Sequence, residues 1–176
     1  MRYALVLPLM LAGLAAAAPA AGQSSPTDYR DQILGHFEGS ARKMSELSKA
    51  MPAETYAWSP EGAFTVARVY GHIARYNYLY LEENLGIAAP DGVDWENFET
   101  ITDKETVVRV LDESIAHVRR AMDTMTEADL TRQATLYGRE VAGWAVLTQL
   151  VAHMNEHVGQ AIAYARMNRI VPPWSM

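Results

Sequence analysis

The sequence predicts an all-α protein folded as a four-helix bundle with one longer crossover loop. Apolar residues recur at spacings of three and four along four long segments, as they do in helices that bury one face. Helix-capping and helix-breaking residues separate these segments, and the alternation typical of strands is almost absent. Four amphipathic helices in this arrangement favour a bundle, and a mature chain of roughly 150 residues is long enough for one sizeable core.

The first two helices occupy the N-terminal half of the predicted bundle. The first is expected over about residues 27–50 and ends before Pro52, which cannot continue a helix. A loop over residues 56–62 follows. The second helix is expected over about residues 64–84 and closes at Gly86, because glycine readily adopts the left-handed conformation of a helix C-cap.

A polar connection over residues 87–101 is the longer crossover loop and leads into the third helix. Thr102 and Glu105 have the spacing of a capping box and predict where this helix starts. Its predicted core positions are Val108, Leu111, Ile115, Val118 and Met122.

The fourth helix is predicted over about residues 141–168, and the following proline pair forbids its continuation. A short helical turn is expected at residues 126–129, before a break at Tyr137 and Gly138.

Residues 1–22 are predicted to be a secretory signal peptide, which leaves residues 23–176 as one bundle domain. A short basic start precedes an apolar run from Ala4 to Ala18 and small-residue cleavage sites. The run is short for a membrane span of about 20 residues. We therefore expect export to the periplasm or the medium, with no stable membrane span after cleavage.

The overall composition excludes several classes of site. The formal net charge is −6, and removal of residues 1–22 takes away Arg2 and no acid, which gives −7. Such an acidic chain without a basic stripe is not expected to bind nucleic acid. The absence of cysteine excludes disulfides, thiolate metal sites and lipid attachment to cysteine, so any metal must be held by histidine and carboxylate.

His153 and His157 lie four residues apart in an apolar run. At helical pitch these positions are about 40° apart around the axis, so both imidazoles leave the same face. Leu150 and Met154 share that face, which predicts that it turns inward. Buried imidazoles are costly unless their nitrogens are satisfied, and a transition metal satisfies them well.

His72 is the predicted third ligand. It lies in the middle of the second helix, next to Gly71, which would let a neighbouring helix approach closely. Two other histidines are set aside. His117 is predicted to lie on the solvated side of the third helix, and His36 lies at the edge of the first helix's apolar stripe, either beside the core or exposed.

Three imidazoles from two helices would leave at least one coordination position open, as in catalytic metal sites. Zinc is the expected divalent metal, with nickel, iron and manganese as alternatives, because histidine-only sites do not select firmly. The rival interpretation is a set of core histidines that only make hydrogen bonds. His153 to His157 also spells the inverted zinc-protease motif H-x-x-E-H, but no Asp or Glu follows Glu156 to supply the acidic ligand.

Three ordered stretches carry a family resemblance over nearly the whole mature domain. The first is residues 34–60, and the second is residues 65–86 with the Gly71–His72 pair. The third is residues 150–173, which contains His-x-x-x-His-x-Gly-Gln and an arginine before the proline pair. In this order they resemble the DinB superfamily, the YfiT-like metal-dependent bundles.

The resemblance implies a DinB/YfiT-like four-helix bundle, often dimeric, that binds a divalent metal through three histidines. The family's ligand positions match His72, His153 and His157. Gln160 also matches; it could orient a bound water or substrate, hold a ring nitrogen, or make a helix–helix hydrogen bond. Tyr76, one turn past His72, is a second catalytic candidate, whose hydroxyl could donate to a ligand on the metal.

The sequence departs from the family pattern in two respects. Asn168 and Arg169 stand where the family usually ends its last helix with glycine, but asparagine tolerates the left-handed conformation. Characterised relatives resemble thiol-dependent transferases and isomerases that use bacillithiol or mycothiol, whereas an exported protein would meet little reduced thiol. The resemblance therefore supports the metal site of the family in this chain more strongly than it supports the family's thiol-dependent substrates.

The resulting hypothesis is a metal-dependent transferase or hydrolase that acts on an unknown small molecule at a three-histidine site. The alternative is a non-catalytic bundle that binds a small molecule or a partner, with or without metal. A homodimer is possible in either case.

Overall fold

The computed structural model describes residues 26–175, and the predicted signal peptide at residues 1–22 lies outside this range. Four long helices form the predicted four-helix bundle, which is confirmed. The elements are α1 Pro26–Ala50, α2 Val66–Leu79, α3 Lys104–Thr124, α4 Glu127–Thr131, β1 Gln133–Leu136, β2 Arg139–Ala142 and α5 Gly143–Met167. None of the helices in the described part of the chain is long and apolar enough to cross a membrane.

The core lies where α1 packs along α5 and α2 packs along α3, with α2 also crossing α5. Each large apolar side chain that is fully buried there contributes about 1.5–3 kcal/mol relative to an exposed one. The buried side chains include Phe37, Met44, Leu47, Ile73, Leu111, Leu147 and Met154.

Helix α2 has a defined beginning and end. The side chain of Thr65 accepts the backbone N–H of Arg68 and caps its first turn. After Leu79 the helix widens into a π-helical turn over Tyr80–Asn84, a feature common at functional sites. Gly86, with a φ of 64°, closes the end as the sequence predicts.

The crossover loop is anchored along α2 rather than loosely solvated. It contains a 3-10 turn, Trp95–Thr100, and the Trp95 indole N–H donates to Glu82 at 3.1 Å. A Cβ placed on Gly71 would contact the carbonyl oxygen of Phe98. The close neighbour predicted at Gly71 is therefore this loop and not one of the long helices.

The start of α3 differs from the prediction by one residue. Asp103, rather than Thr102, is the N-cap, and its carboxylate accepts the backbone N–H of Thr106 at 2.8 Å. The register of the buried face also shifts, because Val107 is fully buried while Val108 is only partly buried against the core. The short turn predicted at residues 126–129 is confirmed as α4, which opens with a capping box.

A β-hairpin occupies the first residues of the predicted fourth helix. Strands β1 and β2 are antiparallel, with Leu136 opposite Arg139. Tyr137 and Gly138 between them have φ values of 51° and 76°, and positive φ at both central residues is typical of a type I′ turn. Backbone pairing holds residues 139–142 extended, so α5 begins after them and not at residue 141.

The end of α5 uses a left-handed residue, but that residue is not asparagine. Arg169 has a φ of 62°, whereas Asn168 has a φ of −90°. The backbone N–H of Ile170 donates to the carbonyl of Ala165 at 2.9 Å and closes the last turn. The absence of the family's usual glycine therefore leaves the helix end intact.

Candidate metal centre

The three histidines predicted as ligands converge where α2 crosses α5. One ring nitrogen from each of His72, His153 and His157 can be chosen so that all lie within 4.8 Å of one another. The Nε2 atoms of His72 and His153 are 3.1 Å apart. All three side chains are half-buried, so the cluster lies at the edge of the core.

The spacing of these nitrogens suits a tetrahedral metal ion. Zinc binds histidine nitrogen at about 2.0–2.1 Å, which places two ligand nitrogens about 3.3 Å apart. The separation between the Nε2 atoms of His72 and His153, 3.1 Å, is close to this value. The residues present therefore fit a divalent metal held by three imidazoles.

Hydrogen bonds on the far side of two rings set the protonation of the nitrogens. His72 Nδ1 lies 2.8 Å from Glu99 Oε1, and His157 Nδ1 lies 2.7 Å from Gln160 Oε1. Both partner oxygens only accept, so each Nδ1 carries the hydrogen. The Nε2 atoms of His72 and His157 then carry the lone pairs that could bind a metal, and Nε2 of His72 faces Nε2 of His153.

The environment of the cluster disfavours protonated imidazole. Burial, with smaller contributions from His157 and His72, lowers the pKa of His153 to about 3. Burial also lowers the pKa of His72, although the hydrogen bond to Glu99 opposes this effect. Both rings are therefore neutral near pH 7, which is the state that binds metal.

Aromatic rings frame the cluster. The ring centroid of Tyr76 lies 4.4 Å from that of His72 and 4.5 Å from that of His153. Phe64 lies edge-on to His72 at 5.5 Å, and Tyr80 lies 5.8 Å from His153. Such a shell restricts access of solvent to a bound ion, and it includes Tyr76, the residue proposed from the sequence as a catalytic candidate.

The side chain of Gln160 makes one of the contacts that the sequence analysis considered for it. Its carbonyl oxygen holds the ring of His157, and its amide nitrogen donates to the hydroxyl of Tyr164 at 2.9 Å. The described contacts therefore assign it to a ring nitrogen rather than to a helix–helix bond.

Glu99 contacts the histidine cluster through His72, and the sequence pattern did not predict this. It lies 27 positions from His72 in the crossover loop, where no periodicity marks it. Its second oxygen accepts from Arg68 Nε at 3.0 Å, and Arg75 lies 3.6 Å away. Burial acts to raise the pKa of Glu99, but the hydrogen bonds from His72 and Arg68 prevail and lower it.

The other two histidines lie away from the cluster. His36 is exposed on α1. His117 was predicted to be at the surface, and that prediction is wrong: its side chain is buried and stacks on Tyr78 with ring centroids 4.9 Å apart. Burial and the nearby Arg120 lower its pKa, and Glu82 acts in the opposite direction.

The DinB superfamily model matches residues 36–164, a span that contains all three clustered histidines. The chain belongs to the DinB superfamily. No curated protein matches this sequence.

Solved structures show the same fold at low sequence identity. A DinB-like protein from Bacillus cereus is 20% identical with a TM-score of 0.70, and the match covers 81% of this chain and 95% of that one. YfiT from Bacillus subtilis, described as a probable metal-dependent hydrolase with an unusual four-helix bundle topology, is 15% identical with a TM-score of 0.65, over 88% and 94% of the two chains. A mycothiol-dependent maleylpyruvate isomerase is 16% identical with a TM-score of 0.59, over 78% of this chain and 62% of its own.

Proposed function

We propose that this protein binds one divalent metal ion through His72, His153 and His157 and is a metal-dependent transferase or hydrolase. The observation that carries the proposal is the convergence of three imidazoles, with one ring nitrogen of each within 4.8 Å of the others. Zinc is the metal we expect, with nickel, iron or manganese as alternatives, because a histidine-only site does not select firmly among these metals.

The ligand set favours a catalytic site over a purely structural one. Among residues 26–175, no fourth histidine, cysteine or carboxylate joins the group. Glu99 is bonded to Nδ1 of His72, on the other side of the ring from Nε2. Three protein ligands leave a position for water or substrate.

The chain's own residues would shape the reaction around this position. A divalent metal bound there would supply Lewis acidity to a water, a thiol or a substrate carbonyl. Glu99 and Gln160 hold the rings of His72 and His157. Tyr76 lies against two of the three imidazoles, so its hydroxyl is our candidate proton donor to the substrate.

The fold relatives support this class of activity without naming the substrate. One is described as a probable metal-dependent hydrolase and another as a mycothiol-dependent isomerase. We further propose that the protein acts on a small molecule after export, because its first residues have the pattern of a secretory signal peptide. In that compartment hydrolysis is favoured over chemistry that consumes a reduced thiol.

Elemental analysis of the mature protein, expressed without a tag or chelator, tests the proposal. We expect about one metal ion per chain, lost in His153→Ala/His157→Ala. His36→Ala is the matched control, because it removes an exposed histidine outside the cluster. An empty wild-type protein that also refuses added zinc, nickel, iron and manganese would overturn the proposal.

The proposal that the metal centre is catalytic needs a second measurement. Once metal is bound, a panel of ester, amide and thiol-transfer substrates is screened with wild-type protein and with His157→Ala. An activity that disappears in the variant at unchanged helical content supports the enzyme. A metal-loaded protein that turns over none of these compounds but binds one of them would instead favour the non-catalytic binding bundle.

A further inference from the structure

We infer that Glu99 is a positioning residue of the proposed metal centre, which orients His72 and strengthens it as a ligand. This inference rests on the proposed function, because it concerns the same three-histidine site. Its direct basis is the 2.8 Å contact between Glu99 Oε1 and His72 Nδ1.

The contact determines which nitrogen of His72 faces the cluster. A carboxylate accepts only, so the ring must present its N–H at Nδ1 and its lone pair at Nε2. That Nε2 lies 3.1 Å from His153 Nε2, inside the group of ligand atoms. A negative partner at Nδ1 also increases the electron density that imidazole can donate to a metal.

Glu99 is itself held in place from two sides. Arg68 donates to its other oxygen at 3.0 Å, and Arg75 lies 3.6 Å from the oxygen that bonds His72. Both contacts place a positively charged guanidinium beside the carboxylate. The side chain of Glu99 is 17% exposed, so water competes little for its oxygens.

The fold brings this carboxylate to the ring through Gly71. The missing side chain of Gly71 lets the carbonyl of Phe98 pack directly on α2, and the Cα of Glu99 would lie only 3.4 Å from a Cβ at that position. Gly71 directly precedes the ligand His72 in the sequence, and Phe98 directly precedes Glu99, the residue that contacts His72. The close approach of the two backbones therefore sets the distance from Glu99 to His72.

The three histidines are consequently not equivalent. The Nδ1 atom of His72 contacts the carboxylate of Glu99, whereas that of His157 contacts the amide oxygen of Gln160. The ring of His153 is instead surrounded by Tyr76, Tyr80 and its fellow histidines. Among residues 26–175, the negative partner therefore comes from the crossover loop and contacts the ligand that α2 supplies.

Zinc affinity, measured by competition with a chromophoric chelator, tests the role of Glu99. Glu99→Gln retains an oxygen for Nδ1 but removes the charge, and we expect it to weaken zinc binding about 10–100-fold. Glu99→Asp retains the charge but withdraws the oxygen by one methylene group, and we expect a loss of similar size. Glu96→Gln, an exposed glutamate on the same 3-10 turn, is the matched control and should bind as wild type.

Arg68→Gln separates positioning from a structural ion pair. It removes the bond from Arg68 to Glu99 and leaves that from Glu99 to His72, so we expect a smaller loss than in Glu99→Gln. The absorption spectrum of the cobalt-substituted protein provides a second readout: it should change in Glu99→Gln and stay as wild type in Arg68→Gln.

The outcomes distinguish the two proposals. Wild-type zinc binding with unchanged affinity in Glu99→Gln, or an equal loss in Arg68→Gln and Glu99→Gln, would overturn the positioning role and leave the metal site standing. A wild-type protein that binds no zinc would overturn both.

Discussion

A metal held by three preformed ligands should stabilise the folded protein, and chelation should reverse the effect. The native state brings the nitrogens of His72, His153 and His157 within 4.8 Å, whereas the unfolded chain separates His72 from the pair by about 80 residues. The metal therefore binds the native state in preference to the unfolded state. Binding of this kind raises the free energy of unfolding by mass action.

The size of the effect follows from the concentration of free metal. At free zinc about 100-fold above the dissociation constant, the added stability is about 2.7 kcal/mol. For a domain of about 150 residues each kcal/mol raises the melting temperature by about 2–4 °C, so the expected shift is about 5–11 °C. The shift should grow with zinc concentration without a plateau.

Thermal melts followed by circular dichroism at buffered free zinc, with and without chelator, measure this shift. His153→Ala/His157→Ala should show a shift of about 1 °C or less, and His36→Ala should match wild type. The reasoning is refuted if wild type melts at the same temperature with and without chelator, or if the double variant keeps the full shift. The first result would leave the histidines as hydrogen-bonded residues of a bundle without metal.

Three further predictions concern the fold and the pocket. Gly71→Ala should lower the free energy of unfolding by about 1–3 kcal/mol in denaturant titrations, because its Cβ would collide with the crossover loop; Gly39→Ala, with open space around it, should be neutral or stabilising. Since burial depresses the pKa of His117, the unfolded chain binds the extra proton, so stability should fall as pH drops below about 6.5. His117→Phe should show a weaker loss over that range, and an identical pH profile would contradict the argument. Tyr76→Phe should retain metal while the turnover of a substrate found by screening falls about 100-fold; unchanged turnover would remove Tyr76 from the reaction.

The local parts of the fold could be predicted from the sequence because they depend on near neighbours. Helical periodicity located the four long helices, and the left-handed end of α2 at Gly86 follows from the chemistry of one residue. The i, i+4 spacing of His153 and His157 places both on one face once α5 forms. The error at the start of α3 has a local cause as well. Thr102 and Asp103 are adjacent, and both are residue types that commonly cap helices. The sequence pattern therefore does not distinguish them, and Asp103 is the cap in the structure.

The β-hairpin escaped the sequence analysis because its stability comes from pairing. Residues 139–142 are too few to show a strand pattern, and they are extended because residues 133–136 lie beside them. Positive φ at Tyr137 is also unusual for a tyrosine. Gly138 marks a break at this point in the sequence, but it does not show that the residues on either side pair as strands.

The sequence by itself determined the four amphipathic helices, the paired histidines of α5 and the absence of any thiolate ligand. Only the tertiary structure decided that His72 lies next to that pair and that Glu99, from a distant loop, contacts Nδ1 of His72. It also decided that the ring of Tyr78 stacks on His117. The physical reason is the range of the interactions. Periodicity records which face of a helix is buried, whereas contacts between elements depend on how backbones approach, as at Gly71, where a missing Cβ admits the crossover loop.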